Sequence, residues 1–111
     1  MKASVTPKAK SISMYDITEE TRHYIDAILH TFYFPNKVNN ISGQIETVVK
    51  SENGDTSREN ISRLYFAVIK FLSKNGFGHE EDYVYIIDKK GNDLKECGSL
   101  AAFEEKYKNS K

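Results

Sequence analysis

One stretch, Thr56–Gly76, constrains the fold more than any other part of the chain. Its apolar residues recur at the i, i+3, i+4, i+7, i+8 and i+11 spacing that is typical of one face of an α-helix. Thr56 and Glu59 have the spacing of a capping box, which predicts that the helix begins there. Phe66 and Phe71 widen the apolar stripe, so we expect a central helix that is covered on more than one side. The stripe itself consists of Ile61, Leu64, Tyr65, Val68, Ile69 and Leu72.

A second helix is predicted upstream, after a polar start signal. Asp16 and Glu19 have the spacing of a capping box, and Thr18 is an alternative cap. The helix must end before Pro35, because the residue that precedes a proline avoids the helical conformation. We therefore expect a connecting loop over residues 34–40. The apolar face of this helix holds Tyr24, Ile25, Ile28, Leu29 and Phe32.

Two further segments have weaker patterns. Lys10–Tyr15 alternates polar and apolar residues, with Ile12 and Met14 on one face, which predicts a short strand. Ile41–Lys50 is ambiguous, because its apolar spacing favours a helix capped by a preceding asparagine, whereas its content of Ile, Thr and Val favours a strand. Periodicity over so short a segment does not decide between them.

The C-terminal part of the chain predicts a β-hairpin followed by a helix. Tyr83–Ile87 has the strongest strand pattern, Gly91 suits a turn, and Leu94–Cys97 is the expected return strand. The predicted fold class is therefore α+β, with three to four helices, a short N-terminal strand and a C-terminal β-hairpin. A chain of 111 residues is long enough for a single domain with a small core.

Charge and composition narrow the classes of function. The chain has 16 basic and 16 acidic residues, so its formal net charge is zero. This charge does not indicate nucleic acid or a membrane as the partner. Its apolar runs are far shorter than the roughly 20 residues of a membrane-spanning helix, and we expect no secretory signal, because the N-terminus lacks an apolar core. The lone Cys97 excludes an internal disulfide, which fits a cytoplasmic protein. Residues 1–9 are basic, and we expect them to form a mobile arm.

Catalytic and metal-binding patterns are weak. His79 precedes three acidic residues, a pattern that a solvated acidic loop explains better than a metal site does. His23 and His30 are about two helical turns apart, too far to share one metal ion. Cys97 has no histidine nearby in the sequence that would activate it. We therefore predict a protein that is not an enzyme and that uses no cofactor and no metal.

The N-terminal half has a characteristic order of elements. A basic arm precedes the alternating strand KSISM, which is followed by a capped helix, ITEETRHYIDAIL, a polar loop and a second start signal, NNISGQIETVVK. Over residues 8–50 this order resembles the ribbon-helix-helix family of DNA-binding proteins. The resemblance implies a homodimer in which each subunit gives one strand to a ribbon that lies in the major groove. It implies a DNA-binding transcriptional repressor, or an antitoxin of that type.

The resemblance also assigns roles to individual residues. In that family the outward residues of the strand contact base edges, and the inward residues fill the dimer core. Basic residues of the arm would contact the phosphate backbone, and the second helix would offer backbone amides at its N-terminus. The DNA-binding residues that the resemblance implies are Lys8, Lys10, Ser11, Ser13, Tyr15, Asn40 and Ser42.

The alternative hypothesis is a protein–protein interaction module, such as an immunity protein, a toxin-neutralising protein or a phage-encoded inhibitor. Seven tyrosines fit this class, because tyrosine is enriched at protein interfaces. Here Ser11–Tyr15 and Gln44–Lys50 would join the hairpin in one sheet. An outward tyrosine pair beside an acidic run would bind a basic partner such as a nuclease toxin, although the strand pattern fits a core-facing pair equally well. The expected partner-binding residues are Glu80, Glu81, Asp82, Tyr83 and Tyr85.

Overall fold

The structure is organised around one long helix. The computed structural model describes residues 16–109. A short 3-10 turn, Leu29–Thr31, extends the first helix. The α+β class is confirmed, with five α-helices and one three-stranded antiparallel sheet in the described residues. The elements are α1 Glu19–Ile28, β1 Val38–Asn39, α2 Ile41–Ser51, α3 Arg58–Lys74, β2 Gly78–Glu81, β3 Val84–Ile87, α4 Lys89–Cys97 and α5 Leu100–Asn109.

Helix α3 forms the centre of the core, as its apolar spacing predicts. Helices α1 and α2 pack against it, and so does strand β2. The ring of Phe71 stacks on Phe77 at 6.0 Å, and Phe77 meets Phe103 of α5 edge-on at 5.3 Å. Phe66 is 61% exposed, so Phe71 alone widens the buried stripe. The buried residues of α3 are Ile61, Leu64, Val68, Ile69, Phe71 and Leu72.

One predicted helix start needs correction, and at the other the structure confirms the alternative cap. Helix α3 is capped by Ser57, whose Oγ accepts a hydrogen bond of 3.3 Å from the N–H three residues further on. The capping box that begins at Thr56 is therefore wrong by one residue. Helix α1 is capped by Thr18 rather than Asp16, through a hydrogen bond of 3.1 Å with the same spacing. In both cases the hydroxyl residue that directly precedes the first helical residue satisfies one of the free amides.

The ambiguous segment forms helix α2. Asn40 caps it, because its side-chain Oδ1 accepts a hydrogen bond of 3.0 Å from the N–H of Gly43. Ile41, Ile45 and Val49 are buried, and α2 packs against both α1 and α3. The expectation that Gln44–Lys50 joins the sheet is therefore wrong.

The hairpin exists, but it lies upstream of the predicted one. Strand β2 pairs with β3 from Gly78 opposite Ile87 to Glu81 opposite Val84. The predicted return strand, Leu94–Cys97, belongs to helix α4 instead. Gly91 is also helical, and a Cβ atom there would clash with the carbonyl oxygen of Phe77. Because Gly91 has no Cβ atom, the backbone of α4 can approach the backbone of Phe77 closely. Gly91 therefore does not form a turn.

Strand β1 lies within the segment that was predicted to be loop. It pairs with β3, so the strand order is β1-β3-β2. Asn39 is 6% exposed, and its Oδ1 accepts a hydrogen bond of 2.7 Å from the N–H of Tyr33. Its Nδ2 lies within 3.4 Å of the carbonyl oxygens of Tyr33, Lys37 and Tyr85. One buried amide thus ties the loop that follows α1 to the middle of the sheet.

Polar contacts hold the last helix, α5, against the first. The backbone N–H of Leu100 donates a hydrogen bond of 2.8 Å to the carboxylate of Asp26 on α1. Arg22 and the buried Glu104 form an ion pair at 3.4 Å. The predicted strand Lys10–Tyr15 and the basic arm 1–9 lie outside the described residues. Within residues 16–109 no helix is long and apolar enough to cross a membrane.

We predict that Ser57→Ala lowers the free energy of unfolding by about 1 kcal/mol, because the replacement removes the side-chain cap of α3. Thr56→Ala is the matched control and should change it by much less, since Ser57 makes the capping bond. Chemical denaturation of both variants measures the difference. Equal losses in the two variants would contradict the assigned cap.

Candidate functional site

The sheet has one buried face and one open face. Residues directly opposite each other on antiparallel strands share a face, so Asn39 and Tyr85 lie on the buried side. Val38, Ile86 and His79 form one row on the opposite side, and Val84 and Glu81 form the next. We call these last five residues the outer sheet face. Val38 is 59% exposed, and Val84 and Ile86 are half-buried.

The turn between β2 and β3 consists of two residues that both have positive φ. Asp82 has φ 52° and Tyr83 has φ 68°, the pattern of a type I′ hairpin turn. Glycine and asparagine are the usual residues there, because a Cβ atom crowds the neighbouring carbonyl in this conformation. The side chain of Tyr83 is nevertheless fully exposed. We call Asp82 and Tyr83 the hairpin tip.

Acidic residues lead into the hairpin tip, and another lies at the far end of β3. Glu80, Glu81 and Asp82 are all exposed. His79 Nδ1 lies 2.9 Å from the Oδ1 of Asp88, and its Nε2 lies 3.6 Å from Glu81. The hydrogen bond to Asp88 raises the pKa of His79 above its ordinary value, and Glu81 adds to the effect. Asp88 directly precedes α4, yet its side chain makes no capping bond there.

Tyr85 does not belong to this surface, which corrects the expectation of an outward tyrosine pair. It is 2% exposed, and its hydroxyl lies 2.9 Å from the Oγ of Ser73 on α3. Burial raises the pKa of Tyr85 to about 12. Ile87 is buried on the same face. The two tyrosines separate because Tyr83 lies in the turn and Tyr85 lies in the strand.

Of the residues that the ribbon-helix-helix resemblance implies, two lie in the described part of the chain. Asn40 uses its side chain to cap α2, and Ser42 is half-buried in the first turn of that helix. The capping bond already occupies the N–H of Gly43. The others lie outside the described residues, namely Lys8, Lys10, Ser11, Ser13 and Tyr15.

Three exposed apolar residues lie near the sheet. Tyr33 is 62% exposed, Phe34 is 38% exposed, and Val38 follows shortly after them in β1. A cis peptide bond joins Phe34 to Pro35. No periodic pattern marks these positions, because their arrangement depends on the long-range hydrogen bond between Asn39 and Tyr85.

Two shallow grooves lie elsewhere on the molecule. One, of about 230 Å³, lies between the start of α1 and the C-terminal half of α3, where Lys70 and Lys74 line it. The other, of about 300 Å³, is polar and includes Glu46 and Arg58. Among residues 16–109 no three His, Cys, Asp or Glu side chains are placed to hold a metal ion. Asp88 and Glu81 approach opposite ring nitrogens of His79, so they share no common point for a cation.

Comparison with known proteins adds no relative, because no protein-family model, curated protein or solved structure matches the chain. The geometry of the outer sheet face and the hairpin tip therefore carries the functional argument.

We predict that Tyr83→Gly raises the free energy of unfolding by about 1 kcal/mol, because glycine adopts positive φ without steric cost. Tyr83→Ala is the matched control, since it removes the ring but keeps the Cβ atom. Chemical denaturation should show a gain for glycine and none for alanine. A gain of the same size in both variants would mean that the ring, and not the backbone, is the source of the strain.

We predict that His79 titrates above its ordinary pKa and that Asp88→Asn lowers this pKa. A raised folded-state pKa means that the pair stabilises the protein fully below the unfolded-state pKa, and that this contribution is lost as pH rises through the folded-state pKa. Asp88→Asn should therefore cost more stability at about pH 5.5 than at about pH 8.5. Histidine ring NMR signals follow the titration, and an unchanged His79 pKa in the variant would contradict the pairing.

Proposed function

We propose that this chain is a non-enzymatic binding module, and that it acts in the cytoplasm by holding a basic protein partner at its hairpin tip. The observation that carries the proposal is the side chain of Tyr83. It is fully exposed, lies in a turn with positive φ, and directly follows three exposed acidic residues.

Tyr83 costs folding free energy without a buried contact that repays it. A residue with a Cβ atom in the left-handed region costs roughly 1–2 kcal/mol. A bulky residue held there is a reason to look for a function, since such strain is found at binding and active sites. A tyrosine ring offers a large apolar area and one polar end at low entropic cost, which suits an interface. We therefore assign the ring to a partner.

The charges around the hairpin tip indicate the chemistry of that partner. Glu80, Glu81 and Asp82 are consecutive exposed acids beside Tyr83. A local acidic patch accelerates association with a basic surface and disfavours acidic partners, although the chain as a whole is neutral. A basic toxin or nuclease has the complementary charge.

The DNA-binding function remains a separate proposal. It depends on residues 8–15, which the structure does not describe, and on Asn40 and Ser42. Asn40 directs its side chain to its own helix, as the cap of α2. The described surface therefore favours the protein partner, and an antitoxin that binds both DNA and a toxin would combine the two functions.

The test uses the full chain as bait in an extract of its host cells. We expect the wild-type protein to capture a basic protein that Tyr83→Ser and Glu80→Lys release. Glu59→Lys is the matched control, because Glu59 is also an exposed acid but lies in the first turn of α3. The captured protein is then purified and titrated against all four baits by calorimetry. Equal affinity for the wild type and Tyr83→Ser would contradict the proposal.

A gel-shift assay with mixed duplexes at low salt decides the DNA function. Retardation that weakens in a Lys8→Ala/Lys10→Ala variant and is unaffected by Tyr83→Ser would favour DNA as the ligand. If no duplex is retarded, the DNA-binding function is excluded, and the proposal of a protein partner stands.

A further inference from the structure

We infer that the outer sheet face continues the binding site from the hairpin tip, and that it takes an extended segment of the partner that combines basic and apolar side chains. The inference rests on the proposed function and names the part of the partner that this surface fits.

The outer sheet face offers an apolar centre. Val38 and Ile86 are directly opposite each other on β1 and β3, and Val84 lies two residues along β3 on the same face. The helices of the core contact the sheet from the buried side, where Tyr85 and Ile87 lie. The three aliphatic side chains therefore form a stripe that runs from β1 towards the hairpin tip.

Tyr33 and Phe34 are exposed aromatic residues near the β1 edge of the sheet. The backbone of Tyr33 is bound to the side chain of Asn39 through its N–H and its carbonyl group. Asn39 follows Val38 directly and is itself bound to β3. The two exposed aromatic residues are thus held near β1 rather than left on a free loop.

The size of the sheet restricts what binds to it. Strands lie about 4.8 Å apart and rise about 3.3 Å per residue, so three strands of at most four residues give a face of roughly 10 by 13 Å. This is far less than the roughly 800 Å² that each partner buries in a standard protein interface. An extended segment fits such a face, since it spans the length of the surface with few residues.

The acidic residues next to the outer sheet face indicate which side chains the segment carries. Glu81 lies on the outer sheet face next to Val84, and Asp82 follows it in the turn. Asp88 lies beyond the opposite end of β3, directly after Ile87, and is in contact with His79. An extended segment that lies along β3 can therefore place apolar residues over the stripe and basic residues at its two ends, near Glu81 and Asp88.

The experiment selects random peptides displayed on phage against the immobilised full-length protein. We expect the enriched peptides to combine lysine or arginine with aliphatic or aromatic residues. Their affinity should fall about tenfold or more for Val38→Asp, which places a carboxylate in the stripe. Phe66→Asp is the matched control, because Phe66 has almost the same exposure as Val38 but lies on α3, and it should leave the affinity unchanged. Thermal melting confirms that both variants are folded.

Several results would overturn the inference. The enriched peptides could lose affinity for Tyr83→Ser and yet bind Val38→Asp as tightly as they bind the wild type. That result would show that the outer sheet face is not part of the binding site, and the function proposed for the hairpin tip would stand. A lack of enrichment over the unselected library, or enrichment of acidic peptides, would also remove it. A homodimer in sedimentation velocity that Val38→Asp dissociates would show that a second copy of the chain covers this face.

Discussion

The fold depends on the amount of apolar surface that α3 must bury. Six of its residues are buried in a stripe that is too wide for one helix to cover. Helices α1 and α2 cover part of it, and the sheet with Phe77 covers the rest. Burial of large side chains stabilises by roughly 1.5–3 kcal/mol each, so both coverings are needed for a stable core.

A sheet that covers a helix with one face leaves its other face to solvent. The buried face includes polar groups, and each has a partner: the hydroxyl of Tyr85 is bonded to Ser73, and the amide of Asn39 is bonded to backbone groups. Unsatisfied buried polar groups would cost about 1–3 kcal/mol each, so these bonds fix where β1 and β3 lie. The position of the outer sheet face thus follows from the packing beneath it.

The sequence predicts those elements whose pattern is determined by residues close together in the chain. Helix α3 is recognisable from its spacing. The sequence GHEE does not predict strand β2, because it has one buried residue and no alternation. The sequence KKGNDLKEC predicts a turn and a strand rather than helix α4, because its polar residues and Gly91 are typical of turns. Strand β1 has two residues and depends on Asn39, so nothing local marks it.

The binding role proposed for the hairpin tip depends on how the turn presents Tyr83. A type I′ turn matches the twist of the two strands that it joins, so Tyr83 is presented by a short, regular ladder from Gly78 to Ile87. A backbone that is fixed in one conformation loses less conformational freedom when a partner binds. Under the proposed function, part of the folding free energy that positive φ costs at Tyr83 is therefore returned as a smaller entropic cost of association.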